Sequence, residues 1–360
     1  MKPERREFLK KLSFLGLTAY GLSPPSLAGQ GNDNHLIAIS GSDIVVVDLE
    51  NHEVNTYPVG CTAHDFVQNP LNPRRVWLSE KWGAHAKEVD FQTGEITRTL
   101  ISPPNTQFFG HGLFSKNGDL LYFTRGNFKS GLGHIVGYDT RNFEQVVDFP
   151  VAVGGVHDLH FTSKGTILVT STGLTLVQGS NPAAGPQAEL SSLVEADLAT
   201  GEVIRKIFIK DESQLIGHFA MSDELVFATS ANAPRKNGPG GEIYFAPLDS
   251  KVFLKAEIPG EQRKFLAGDF SSLAVDPATK RISITNRRSG YITILNSETG
   301  AYVATHVCPE YASVSFDKTR SRFVYAGDSI DTLDPAGGSI ERFKLGSAVG
   351  KMDGSHSLII

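Results

Sequence analysis

Short runs of β-branched and aromatic residues recur along most of the chain, each broken by glycine, asparagine, aspartate or proline. That rhythm predicts strands and tight turns. After residue 30 no long segment carries the apolar spacing of an amphipathic helix. The clearest stretch is Gly110 to Phe123: a short strand, a turn at Lys116-Asn117-Gly118-Asp119, and a second strand. A third strand is predicted at His134 to Asp139 and a fourth at Gln145 to Phe149. Together they form an antiparallel unit of roughly 47 residues, close to the period of a propeller blade.

Seven segments read as the inner strands of such units. They are His64-Asp65-Phe66-Val67, His111-Gly112-Leu113-Phe114, His157-Asp158-Leu159-His160-Phe161, His218-Phe219-Ala220-Met221, Ser271 to Val275, Ala312 to Phe316 and His356 to Ile360. Several outer strands should end in an Asp-x-x-x-Gly turn or its Asn variant, at Asp90 to Gly94, Asp197 to Gly201 and Asn296 to Gly300. Glycine supplies the positive φ such a hairpin needs. His35 to Ile39, Ile44 to Leu49 and Val54 to Val59 give three strands with no inner partner, whereas His356 to Ile360 is an inner strand with no unit of its own. The expectation is an all-β, seven-bladed β-propeller, one domain over residues 29–360. The C-terminal strand would join the N-terminal blade, closing the ring and pairing an edge otherwise left open. Gly173 to Ser192 and Ala231 to Gly241 read as loop insertions between second and third strands.

The N-terminus departs from this pattern. Arg5-Arg6-Glu7-Phe8-Leu9-Lys10 resembles a twin-arginine export motif, followed by an apolar run from Leu12 to Leu22 and a small-residue site at Ser26-Leu27-Ala28. Residues 1–28 therefore read as a twin-arginine signal peptide and the product as a soluble periplasmic protein, expected to be a monomer. The apolar run is too short and glycine-rich for stable membrane insertion. The net charge of -5 argues against general nucleic-acid affinity. Two cysteines are too few for a disulfide framework in a chain of 360 residues.

Candidate chemistry gathers at the inner strands. His64, His111, His157, His218 and His356 stand at or near the start of five of them, and in a closed ring equivalent positions converge at the mouth of the channel. Neutral imidazoles suit a transition metal ion such as iron, copper or zinc, and three are enough for a site with an open position. Asp65 and Asp158, next to two of these histidines, are candidate orienters of the rings. The alternative is structural, since Gly-His before an inner strand also bonds to neighbouring backbone or carboxylate in WD-type propellers. Lys81, His85, Arg125, Lys129, Arg235, Lys236, Arg287 and Arg288 are expected in loops on the same face. Of these, Lys81, Arg125, Arg235, Arg287 and Arg288 are the candidate ligand-binding cations. A cationic rim would attract an anionic small molecule or an acidic periplasmic protein. Cys61 and Cys308 occupy similar places in different blades, and pairing, free thiols and metal ligation by Cys61 all stay open. No phosphate-binding Gly-Lys loop, Gly-x-Ser-x-Gly elbow, haem attachment site or zincin helix is present.

The order of Gly110-His111-Gly112 through Tyr122, Gly133 to Asp139, and Val156-His157-Asp158-Leu159 followed by Gly165 to Val169 resembles the bacterial family DUF1513. The likeness continues more weakly through Leu193 to Gly201, Leu273 to Asp276 and Ile292 to Gly300. The family is similar to YVTN and quinoprotein-dehydrogenase-like propellers, which implies the same fold. Its association with imelysin-type proteins of periplasmic iron uptake implies a metal-related role. The sequence thus points to a periplasmic binding protein with a metal or anion at the channel mouth. The alternatives are a metal-dependent lactonase-like hydrolase or quinoprotein-like dehydrogenase, and a protein-docking platform.

Overall fold

The computed structural model of the chain describes residues 34–177, 185–232, 240–263, 270–286, 290–307, 313–335, 338, 340–344, 352 and 356–360. Residues 1–28, Arg235, Lys236, Arg287, Arg288 and Cys308 lie outside the described residues.

The strands follow one another in antiparallel meanders. The first comprises β1 (His35–Ser40), β2 (Asp43–Asp48) and β3 (Val54–Pro58). Next come β4 (Ala63–Gln68), β5 (Arg75–Gly83), β6 (His85–Asp90) and β7 (Ile96–Ile101), then β8 (Thr106–Phe114), β9 (Leu120–Asn127), β10 (Leu132–Asp139) and β11 (Gln145–Val153). β12 (Val156–Phe161), β13 (Ile167–Ser171), β14 (Ser192–Ala196) and β15 (Val203–Phe208) form the next sheet. It is followed by β16 (Gln214–Met221), β17 (Leu225–Asn232), β18 (Ile243–Pro247) and β19 (Leu254–Lys255). A short helix, α1 (Gly260–Arg263), precedes β20 (Phe270–Asp276), β21 (Arg281–Asn286), β22 (Tyr291–Asn296) and β23 (Tyr302–Val307). The chain ends with β24 (Ser313–Asp317), β25 (Arg322–Ala326), β26 (Ser329–Leu333), β27 (Ile340–Lys344) and β28 (Ser357–Ile359). Among the described residues no helix is long and apolar enough to cross a membrane.

β28 pairs with β1 through Leu36↔Ile359, Ile37↔Leu358 and Ala38↔Ser357. His35 and Ile360 exchange backbone hydrogen bonds of 3.0 and 2.9 Å just beyond that ladder. The second and third meanders are also linked, because the end of β5 pairs with β8 at Lys81↔Phe109 and Gly83↔Phe108.

Strands in the middle of each meander are apolar on both faces, as in the Val45-Val46-Val47 run of β2, because each sheet packs on a neighbour at either side. Trp77, Ala86, Phe108, Phe123 and Val136 fill the space between the second and third meanders. Leu168, Ile207, Ile216 and Val226 do the same between the sheets of β12 and β16. The last meander packs on the first through Val324, Ala326 and Ile330 against Leu36, Val45 and Val47. The inner strands touch in series, β4 with β8, β8 with β12, β12 with β16, β16 with β20, β20 with β24 and β24 with β28, and β28 lies against β4.

The expected turns form as the sequence suggests. In the turn after β6, Gly94 has φ 74° and its N–H donates to Asp90 O at 2.8 Å. Gly201 and Gly300 repeat this with Asp197 and Asn296. Two inner strands differ from expectation. His111 and His218 lie inside β8 and β16 rather than at their starts, because both strands extend backwards to pair with the far ends of β9 and β17.

Candidate metal centre

Each of four histidines sits where its inner strand breaks register. The irregularity falls between Ala63 and Asp65 on β4, between Phe108 and Gly112 on β8, between Val156 and Leu159 on β12, and between Ile216 and Phe219 on β16. A bulge inserts an unpaired residue and re-aims its side chain. His64, His111, His157 and His218 lie within these irregular stretches, and all four are buried. Buried hydroxyls tie the bulges across sheets. Thr124 of β9 donates to His157 O at 2.9 Å, and Thr170 of β13 to Gly217 O at 3.0 Å. Gly110 makes the approach possible: it has φ 104°, and a Cβ there would lie 2.5 Å from His64 Cδ2.

The imidazoles converge. The Nε2 atoms of His64, His157 and His218 form a triangle with sides of 3.1, 3.0 and 3.4 Å. Ligand atoms of His64, His111, His218 and His356 all lie within 4.8 Å of one another. His157 Nδ1 donates to Phe109 O at 2.7 Å, which fixes the proton on that nitrogen and turns the Nε2 lone pair inward. His111 Nδ1 lies 3.1 Å from Asp65 Oδ2 and 3.2 Å from Asp158 Oδ1. Among the described residues, its Nε2 is enclosed without a hydrogen-bond partner, as are His356 Nε2 and His218 Nδ1. His356 Nδ1 stands 3.8 Å from Asp65 Oδ1.

Asp65 and Asp158 do hold rings, but not those of the histidines directly beside them in sequence. Asp65 serves His111 and His356, whereas Asp158 serves His111 and, at 3.4 Å, His160. Asp158 Oδ2 also accepts the backbone N–H of Phe219 at 3.0 Å. The His160 side chain is partly exposed.

Electrostatics favour neutral imidazoles at the centre. Burial holds His64, His157 and His218 well below the ordinary histidine range, reinforced by Lys81 and by one another. Burial likewise pushes His356 down to about 4. Burial alone would raise Asp65 and Asp158, but the neighbouring imidazoles outweigh it and keep both below the usual carboxylate value. Asp158 in turn raises His160 against the effect of burial. The set therefore offers deprotonated nitrogens backed by carboxylates, the arrangement in which a histidine is the better metal ligand.

The cationic residues are placed differently from expectation. Lys81 and Arg125 lie on β5 and β9, and His85 opens β6, so none of the three is in a loop. Arg125 is buried, with Nη2 2.7 Å from Asp148 Oδ2 and Nη1 2.7 Å from Gln145 Oε1. His85 is held by Glu80 at 3.0 Å. Lys129 lies in the turn between β9 and β10, as expected. Cys61 is a buried free thiol in the core with Ile37, Val59 and Phe66. Burial raises its pKa.

This all-β chain shares the propeller architecture of solved proteins. The β-propeller domain of Cps50 (Swd1) from Myceliophteria thermophila matches with a TM-score of 0.59 at 13% identity, over 91% of this chain and 99% of that one. Hydrazine synthase of Kuenenia stuttgartiensis matches with a TM-score of 0.61 at 14% identity, over 84% and 90%. A functionally unknown protein from Desulfotomaculum acetoxidans matches with a TM-score of 0.61 at 10% identity, over 91% and 98%. No curated protein matches the sequence. The chain belongs to the family described as "Protein of unknown function (DUF1513)", whose model matches residues 57–341.

Proposed function

We propose that the protein is an exported, periplasmic, seven-bladed β-propeller that binds one transition metal ion (iron, copper or zinc) through His64, His111, His157, His218 and His356. The inward-facing Nε2 triangle, beside enclosed nitrogens that lack a partner, carries this reading. At a metal–nitrogen distance of about 2.0–2.1 Å, neighbouring nitrogens stand about 3.3 Å apart around a tetrahedral ion and about 2.9 Å apart around an octahedral one. The observed sides of 3.0 to 3.4 Å fall in that interval. Ring closure by β28 is supported by its pairing with β1 and its contact with β4. The twin-arginine motif supports export. Burial of four of the five imidazoles favours holding an ion over turning a substrate over at it. That sets binding above a lactonase-like or dehydrogenase activity. Internal pairing of Arg125 removes a cation from the rim a docking platform would use.

The test is elemental analysis of tag-free protein beside the His111→Ala, His157→Ala double variant. One ion per chain, lost in a variant that keeps its circular dichroism spectrum, is the expected result. Absence of bound metal after reconstitution with iron, copper and zinc would refute the reading.

A further inference from the structure

The imidazoles are not all oriented in the same way. His111 and His157 each have an oxygen acceptor at Nδ1, carboxylates for His111 and Phe109 O for His157. His218 has no such acceptor among the described residues: its Nδ1 is enclosed without a hydrogen-bond partner, and its Nε2 meets the Nε2 atoms of His157 and His64. A ring without an acceptor of its own takes its place from its backbone and its packing.

The backbone at His218 is held on both sides. Gly217 O, in the peptide group before His218, accepts the Thr170 hydroxyl at 3.0 Å. Phe219 N–H, in the peptide group after it, donates to Asp158 Oδ2 at 3.0 Å. Peptide groups are planar, so anchoring the two that flank a residue restrains both of its soft dihedrals. The two anchors are themselves joined, because the Asp158 N–H donates to Thr170 Oγ1 at 2.9 Å. The Thr170 hydroxyl thus accepts from Asp158 and gives its single proton to Gly217 O. Thr170, Asp158 and His218 are all buried. Threonine also stands opposite the bulge on β9, as Thr124, and on β17, as Thr229. Thr229 donates to His218 O of its own sheet at 3.3 Å, whereas Thr170 reaches across to the next sheet.

Building on the metal reading, we propose that Thr170 and Asp158 are the positioning residues of His218. Their clamp on the β16 bulge does for this ligand what a ring acceptor does for His111 and His157. Asp158 Oδ1 also lies 3.2 Å from His111 Nδ1, so the placement of two ligands from different sheets depends on one carboxylate. Neither Thr170 nor Asp158 is itself a metal ligand.

The test loads tag-free protein with cupric ion, confirms one copper per chain by elemental analysis, and measures affinity by chelator competition and the copper site by electron paramagnetic resonance. Thr170→Val, close in shape but without the hydroxyl, should bind copper about 10–100-fold more weakly and change the spectrum, as expected for losing a partner that orients a ligand. Thr170→Ser keeps the hydroxyl and should stay near the parent. Asp158→Asn keeps an acceptor for the Phe219 N–H but loses the carboxylate's hold on His111. Asp158→Ala loses both and should bind more weakly again, which reads the same clamp should Thr170→Val fail to fold. Urea unfolding of the chelator-treated variants separates a structural role. Thr170→Val with lowered stability but the parent's affinity and spectrum overturns the clamp and leaves the metal centre standing. So does Thr170→Ser as weak as Thr170→Val, or Asp158→Ala equal to Asp158→Asn. Failure of the parent to bind copper, iron or zinc overturns both.

Discussion

Acid should unfold the metal-free protein far more readily than its carboxylates alone would require. His64, His157, His218 and His356 all have pKa values lowered by burial, His356 from 6.5 to about 4. The sign follows from which state takes up protons first. As pH falls through 6.5 the unfolded chain protonates these imidazoles while the folded chain does not, so stability drops. For His356 the loss is complete only below about pH 4. Linkage sets the size at about 1.4 kcal/mol per histidine between pH 8 and 5.5, or about 5.6 kcal/mol for four. That is a large share of a typical stability of about 5–15 kcal/mol. His160, whose pKa is raised, offsets part of it, since its contribution is full below 6.5 and fades as pH rises. The assay is urea unfolding of chelator-treated protein at pH 8, 7, 6 and 5.5, with and without metal. A bound ion should flatten the profile, because it competes with protons for the same nitrogens. A loss below about 1 kcal/mol across this range in the metal-free protein would refute the reasoning, since the imidazoles could not then be buried and neutral.

Two further outcomes follow from the geometry. Deleting Ser357 to Ile360 removes the partner of β1 and the burial of Leu358, Ile359 and Ile360, so the midpoint of thermal unfolding should drop sharply, by about 5 kcal/mol or more in stability; a truncated protein melting with its parent would show that β28 is dispensable. Gly110→Ala places a methyl group against His64 in a backbone conformation that L-residues avoid. It should cost about 1–3 kcal/mol and weaken metal retention in a chelator competition, and a variant that holds metal as tightly as the parent would contradict the packing described.

The strands, the turns after β6, β14 and β22, and the convergence of histidines could be read from the chain, because each rests on local chemistry. Glycine at positive φ and alternating apolar residues leave their mark within a few positions. The bulges could not be read, since one inserted residue changes where His111 or His218 points without changing the apolar rhythm around it. For the same reason the sequence does not say which ring each carboxylate holds: Asp65 lies beside His64 in sequence but beside His111 in space. Arg125 follows the alternation of β9, but its partner Asp148 lies two strands away on β11. Sequence marks such a residue as cationic without saying what neutralises it. Phe109 contributes through its carbonyl, which no side-chain pattern reveals.

The pairing of β28 with β1 also has a consequence for timing. Among the described strands β1 comes first in chain order and β28 last, so the first sheet keeps an open edge until β28 has been synthesised. His356 immediately precedes β28, so the fifth imidazole arrives with the closing strand. A nascent or truncated chain can present four of the five nitrogens at most. Retention of metal at the proposed centre would then report that this closing strand has paired with β1.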